Sequence, residues 1–387
     1  MTAAEHPEHA KRLSLFAILS ACIAYGAGMG LTLPLLSLVM ERMGVAGSVN
    51  GLNLATAGLA ALVVTPFVPR LIEKLGAAEF LATSLVVAAV SLVAIYAVPS
   101  LWLWFPVRFV LSSALNGLFV TSEFWINQLA TEKNRGRFVS LYAMCIAGSF
   151  GLGPAILQFI GTRGLAPFAA GAALLLVALV PVLLARRTAP RIDAGDHGTV
   201  FSVLKLAPAA FAAAAVFGAI DAGMFGLLPV YAVRLGYTEA HAALVVSAIA
   251  IGSVVFQYPI GQLADRIDRR WLLAFCAASG IIGSALTPFA VGTPVLFYLL
   301  LLVWGGLILG VYSVSLTLLG QRFKGGALAT ANAAFVMCYC MGLLAGPAAE
   351  GAALDAWNPH GLVVVLGAIC AIYVGFLLLP RPAPVPP

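Results

Sequence analysis

The peptide GMGLTLP at residues 28–34 returns as GMFGLLP at residues 223–229, 195 positions further on. A second pair keeps nearly the same spacing: LGPA at 152–155 recurs as AGPA at 345–348, 193 positions later. Both offsets are close to half of the 387-residue chain. Both members of each pair sit inside long apolar runs. The chain therefore reads as a duplication, two halves in the same orientation joined by the polar stretch RRTAPRIDAGDHG at 186–198. Parallel repeats of this kind place a binding site where the halves meet.

Working outward, 62% of the residues are hydrophobic and 9% are charged, against roughly 25% charged in an ordinary soluble domain. No aqueous surface can be built from that composition. About twenty apolar residues rising 1.5 Å each cross a hydrocarbon core of roughly 30 Å. Runs of that length fall near 13–39, 51–70, 78–98, 101–129, 138–161, 165–185, 206–234, 239–260, 271–291, 294–320, 327–350 and 361–380. Helices are expected throughout, because backbone groups in lipid must be satisfied within the segment and no alternating barrel pattern appears. The expected fold is an all-α membrane protein of twelve spans in two six-helix halves. Its expected parts are an N-terminal tail over 1–12, halves over 13–185 and 206–380, a linker over 186–205 and a tail over 381–387.

Loop charge sets the orientation. With both termini cytoplasmic, the inner segments carry seventeen of the Lys and Arg residues and the outer loops three, Arg42, Arg163 and Arg234. The basic pI reports this asymmetry, and no nucleic-acid partner is needed to explain it. LSAC at 19–22, behind Lys11 and Arg12, superficially matches a lipoprotein signal. Cleavage before Cys22 would leave a first span too short to cross, so a mature span is expected there. All six cysteines fall inside spans, and Cys338 and Cys340, two apart on a helix, make a poor metal pair. No metal or cofactor site is expected.

The loop after the eighth span reads GQLADRIDRR at 261–270. Here the chain resembles the major facilitator superfamily, which carries Gly-x-Leu-x-Asp-Arg-x-Gly-Arg-Arg in the cytoplasmic loops after helices two and eight. Gly261, Leu263, Asp265, Arg266, Arg269 and Arg270 match, and Asp268 replaces the usual Gly. The first-half copy keeps Glu73, Lys74 and Gly76, but Pro69 replaces the first Gly and Ala77 and Ala78 replace the basic pair. Asp265 at such a mouth either latches Arg266 or a neighbouring helix end by charge-assisted bonds, or anchors the loop at the membrane face. The run at 122–142 also resembles a little-characterised branch of small bacterial permeases through Glu123, Trp125, Asn127, Asn134, Arg135, Gly136 and Arg137. The GSFGLGP run at 148–154 partly resembles the fifth helix of antiporters, which favours export. The resemblance implies a monomeric secondary transporter of the cell inner membrane, working on a small-molecule substrate within the lipid bilayer.

Ionisable residues inside a membrane are costly and mark sites by default. Four stand out: Arg108, Glu123, Asp221 and Glu350. At 100° per residue, Arg108, Ser112, Asn116, Glu123 and Asn127 share one stripe of the fourth helix, which must face protein or water. Arg108 and Glu123 are about 22 Å apart along that helix, too far to pair. Arg108 matches an Arg of the superfamily's fourth helix associated with proton coupling in drug exporters. Otherwise it caps carbonyls of a neighbouring helix.

Asp221, between Phe217 and Phe225, is a carboxyl that can be neutral in one conformation and ionise when water or a cation reaches it. The alternative is a permanently neutral acid bonded to an adjacent helix. Glu350 falls at the outer end of its span near Asp355 and either faces water or serves the site. Softer cavity candidates are Tyr25, Asn53, Asn116, Trp125 and Asn127 in the first half, and Gln257, Tyr258, Tyr312, Asn332 and Tyr339 in the second. For each, helix-to-helix bonding is the competing reading.

GAGMG at 26–30 follows no strand and packs or bends a helix rather than holding a nucleotide. There is no HExxH, no GxSxG and no phosphate loop, so an enzyme is not expected. Energy comes from an ion gradient, and protons are the expected coupling ion through Asp221 and Glu123, with Arg108 balancing charge. Proton-driven export of a neutral or cationic amphipathic compound is the leading expectation, proton-driven uptake of a small metabolite or chelate the second. A lipid flippase or a ligand-sensing receptor on the same scaffold is the alternative of another class.

Overall fold

The computed structural model describes residues 5–129, 135–190, 204, 206–323 and 325–379, and among them no strand occurs. Each expected span is a helix: α1 (Glu5–Arg42), α2 (Gly47–Leu75), α3 (Ala77–Ala97), α4 (Leu101–Leu129), α5 (Arg135–Ile160) and α6 (Ala166–Leu184). The second half supplies α7 (Pro208–Arg234), α8 (Glu239–Arg266), α9 (Arg269–Ala290), α10 (Pro294–Arg322), α11 (Gly325–Ala356) and α12 (Gly361–Leu378). α1 begins at Glu5, so most of the tail expected over 1–12 is the first two turns of a helix. Of the linker expected over 186–205, Arg186–Thr188 forms a 3-10 turn. Residues 191–203 and 205, and the tail at 381–387, lie outside the described residues.

Within each half the first and fifth helices pack along their length, α1 on α5 and α7 on α11. Across the halves the main seams are α2 on α11 and α5 on α8, with α1 touching α7. Small residues allow the close approach that packs helices in lipid, where no hydrophobic drive brings them together. At Gly51 a Cβ would stand 2.0 Å from the Pro347 carbonyl oxygen.

The helices are not all regular. Residues 223–227 of α7 and 301–305 of α10 widen into π turns. In α7 the widening immediately precedes the Leu228–Pro229 step, where proline removes a backbone donor and crowds the preceding turn. π turns inside α-helices are frequent at functional sites.

Candidate functional site

Asp221 lies at the midpoint of α7, thirteen residues from either end. It is half-buried, and the Tyr339 hydroxyl of α11 donates to its Oδ2 at 2.8 Å. Aromatic rings enclose the pair. Phe217, one turn below Asp221, sits 5.9 Å from the Tyr339 ring and 5.1 Å from that of Tyr312 on α10, whose ring is 5.3 Å from Phe335. From the other half, Tyr25 of α1 packs on Phe119 of α4 at 5.3 Å and lies within electrostatic range of Asp221. Glu123 of α4 is exposed and within range of Tyr25 and Tyr312. Five of the expected residues, Asp221, Tyr339, Tyr312, Tyr25 and Glu123, thus come together between the halves. Such a site offers one hydrogen-bonded carboxyl, a second accessible one and π faces suited to a ring or a cation.

The two ends of this interface differ. At the end opposite the basic loops, charges bind half to half. Arg234 donates to both oxygens of Glu41, at 2.8 and 3.0 Å, and lies 3.6 Å from Asp355. Arg42 pairs with Glu239, which also meets Thr162. Asp355 of α11 accepts the backbone N–H groups of Gly47 and Ser48, at 2.7 and 2.8 Å, and so caps α2 from the other half with charge matched to the helix dipole. Deeper in, Ser247 donates to the Gly151 carbonyl at 3.0 Å, and the Phe150 and Phe225 rings meet at 4.7 Å about one turn beyond Asp221. Arg42, Arg163 and Arg234, read from the sequence as the sparse basic residues of the outer loops, include the two that close this far end.

Toward the basic end the same helix faces separate. Met144 lies about two turns before Gly151 on its face of α5 and is 68% exposed. Val254 and Tyr258 lie about two and three turns after Ser247 on its face of α8, exposed by 49% and 73%. On α11, Val336 continues the face of Cys340, which packs at Gly58, and is 41% exposed. Tyr258, Gln257 and Asn332, all expected at the cavity wall, are exposed at this mouth rather than beside Asp221. Tyr258 accepts from Gln262 at 2.9 Å.

Other expected residues serve packing. Asn53 and Trp125 are buried at 2% and 0% exposure. Asn116 bonds Thr65 of α2 at 2.8 Å, and Asn127 bonds the Glu123 carbonyl of its own helix at 2.8 Å. Arg108 is buried in the far half of α4. Its Nε and Nη1 have no hydrogen-bond partner among the described residues, and no carboxylate pairs with it. It does not balance Asp221 or Glu123, because both acids lie nearer the middle or the basic end.

The loop motif acts as an anchor in this conformation. Arg270 donates to the Leu377 and Leu379 carbonyls at 2.7 and 2.6 Å, tying α9 to the end of α12 within one half. Asp268 caps α9 by accepting the Arg270 N–H at 2.8 Å, which gives its replacement of glycine a use. Arg266, Glu73 and Lys74 are exposed, and Gly76, with φ of 92°, turns the chain between α2 and α3. Gly261 is on α8 near this loop, and Arg269 starts α9. The Asp265 side chain, Asn134 and the side chains of Arg135 and Arg137 lie outside the described residues.

Of the two readings of Glu350, its burial removes the one in which it faces water. It is fully buried, neither oxygen has a hydrogen-bond partner among the described residues, and it presses on Gly223 of the α7 π turn. Its span position suggested the membrane edge. The helix in fact continues to Ala356, well past the expected end at 350.

A family model described as Major Facilitator Superfamily matches residues 17–319 and again 235–387. The chain belongs to that superfamily. Relatives of this superfamily member include the uncharacterized MFS-type transporter YfkF of Bacillus subtilis (strain 168), 24% identical over 352 residues and covering 88% of each chain. The uncharacterized MFS-type transporter YcaD of Escherichia fergusonii is 25% identical over 321 residues, covering 82% of each. Among solved structures, the nucleoside transporter NupG aligns with a TM-score of 0.71 at 16% identity, covering 95% of this chain and 96% of that one. A D-xylose-proton symporter aligns at 0.72 with 16% identity, covering 94% and 96%. These structures share the fold. The chain is a multi-pass inner-membrane transporter of the superfamily, not an enzyme.

Proposed function

We propose that this protein is a proton-coupled secondary transporter that exports a neutral or cationic amphipathic solute by alternating access, with its basic end in the cytoplasm. The observation that carries the reading is Asp221, bonded to Tyr339 in an aromatic enclosure midway along α7, with Tyr25 in range of it from the other half and Glu123 in range of Tyr25 and Tyr312. A solute entering the open basic end meets Phe217, Tyr312 and Tyr25 as stacking faces, and a cationic group on it is attracted to the ionised Asp221 or Glu123. A proton arriving from the far side competes for the same carboxylate and releases the solute. Exchange then follows from mutually exclusive occupancy, because each ligand shifts the two-state equilibrium only by its differential affinity. Glu123, accessible and nearer the basic end, exchanges its proton with the cytoplasm. The separation at the mouth and the ion pairs at the far end are the two sides of that equilibrium.

Proton-driven uptake is the second reading. The same fold houses a D-xylose-proton symporter, and a carboxyl midway along a helix serves symport as well as exchange. A flippase or sensor would bind a lipid headgroup or a ligand without accumulating solute.

A thermal-shift ligand screen at two pH values, run beside Asp221→Asn and Glu123→Gln, tests the proposal. Compounds that stabilise the parent in a pH-dependent way and lose their effect in a folded mutant support it. Equal binding to all three proteins would sink the coupling mechanism and leave the family assignment intact.

A further inference from the structure

The two copies of the repeat can be laid on each other by their own offsets. Position 195 before Asp221 is Gly26, that before Gly223 is Gly28, and position 193 before Glu350 is Leu157. Leu157 is fully buried where α5 packs on α1. The slot is therefore apolar in the copy that has no acid, and packing does not require a carboxyl there. In the second copy it holds Glu350, with no donor to either oxygen among the described residues and 0% exposure. A Cβ on Gly223 would stand 1.6 Å from its Oε2.

An anion in that slot would bear the cost of dehydration with no donor to offset it, several kcal/mol at least. The carboxyl is therefore protonated while the far end is shut. The groups around it do not change this. Asp221 from α7 and Cys370 from α12 are within electrostatic range, and α2 brings no titratable side chain over 47–64. On its own helix Asp355 is committed to Gly47, Ser48 and Arg234. The next residue, Gly351, lies in the α2–α11 seam, where its Cβ would stand 2.1 Å from the Gly47 carbonyl oxygen. Parting that seam brings far-side water to Glu350.

We propose that Glu350 is a proton-binding site that licenses closure of the far end: hydronium from far-side water protonates one carboxylate oxygen, leaving water, and the seam then closes over the neutral acid. The inference rests on the alternating-access reading above. Its sign is distinctive. The closed form holds one more proton than the open form, so raising the pH opens the far end, by up to about tenfold in population ratio per pH unit. Protonating Glu41, Glu239 or Asp355 would break the rim ion pairs and act in the opposite sense.

The test uses the full chain in lipid nanodiscs with spin labels at Leu165→Cys and Val295→Cys, both exposed at the far end. The six native cysteines are replaced, and His241→Gln and His360→Gln remove the rim imidazoles. Protons are the only probe, and the distance distribution is followed from about pH 6 to 9, where surface carboxylates stay ionised. The expected result is that the parent opens as pH rises, whereas Glu350→Gln stays closed throughout. Glu350→Leu, which reproduces the packing of Leu157, also stays closed, and covers a misfolded Gln variant. A Glu350→Gln profile that tracks the parent, or a parent with no pH response, overturns the proposal. Loss of the response in Asp221→Asn with its retention in Glu350→Gln would discard Glu350 and keep the central site.

Discussion

Residues 28–34 and 223–229 are nearly the same peptide, yet one runs through an uninterrupted α-helix and the other opens into a π turn. Pro34 and Pro229 are equivalent, so proline alone does not make the difference. What differs is the neighbourhood. In the first copy the position of Asp221 is Gly26, where a Cβ would overlap the Ser149 hydroxyl at 2.0 Å, and the position of Glu350 is Leu157. The first copy is a packed hinge of small and apolar groups. The second has the same backbone plan with two carboxyls inserted. The scaffold thus folds without acids at these two places, so Asp221 and Glu350 are additions to it rather than requirements of its packing.

Replacing the acid that faces the cavity should break the comparison most. Asp221→Asn is expected to lower pH-gradient-driven movement of any compound found in the ligand screen by on the order of a hundredfold in reconstituted vesicles, by analogy with the loss of a proton-transfer group. Its thermal stability should be unchanged, because the asparagine amide oxygen can still accept from the Tyr339 hydroxyl. Undiminished transport would show that the coupling proton uses another group.

The glycines sharpen it next. Gly223→Ala drives a methyl into the Glu350 carboxyl and is expected to cost up to about 3 kcal/mol. Gly28→Ala meets nothing nearer than the Leu175 Cδ2 at 3.5 Å and should cost less than about 1 kcal/mol. Unfolding of the two variants in detergent compares them directly, and equal losses would mean that the π turn yields to accommodate the methyl.

A smaller effect is expected at the rim. Arg234→Gln removes a two-point bond to Glu41 and the approach to Asp355. It should shift the far end toward opening by about 2 kcal/mol, roughly thirtyfold in population, read as lengthening between labels on Leu165→Cys and Val295→Cys. The smallest is Tyr339→Phe. Loss of one hydroxyl from Asp221 should weaken ligand stabilisation by about 1 kcal/mol, roughly fivefold in affinity. Thermal shift against the parent measures it, and a hundredfold loss would instead make the hydroxyl a direct ligand of the solute.

The central site was only partly legible before the fold was known. Asp221 and Glu123 stand out because charge inside an apolar run is rare, and of the ten softer cavity candidates Tyr25, Tyr312 and Tyr339 are the ones that the fold brings near Asp221. Trp125, Asn53 and Asn116 were equally polar on paper and turned out to be internal packing, since helical periodicity gives rotation within one helix but not which neighbour covers it. Glu350 stays open between facing water and serving the site for a related reason. Its depth depends on how far α11 extends beyond the apolar run, and its burial on a glycine 127 residues away.

What the amino-acid sequence determined by itself was everything carried by local chemistry and repetition. Length and hydropathy dictate helices that cross a bilayer, loop charge separates a basic end from a far end, and the 195- and 193-residue offsets point to two like halves. Only the tertiary structure decided which end is shut, that Arg42 and Arg234 close it, and that Arg270 ties α9 to α12. It alone separated the accessible carboxyl from the sealed one. Those outcomes depend on contacts between residues more than a hundred positions apart, and lipid, being as apolar as the helices, leaves close packing and paired charge to choose among the arrangements.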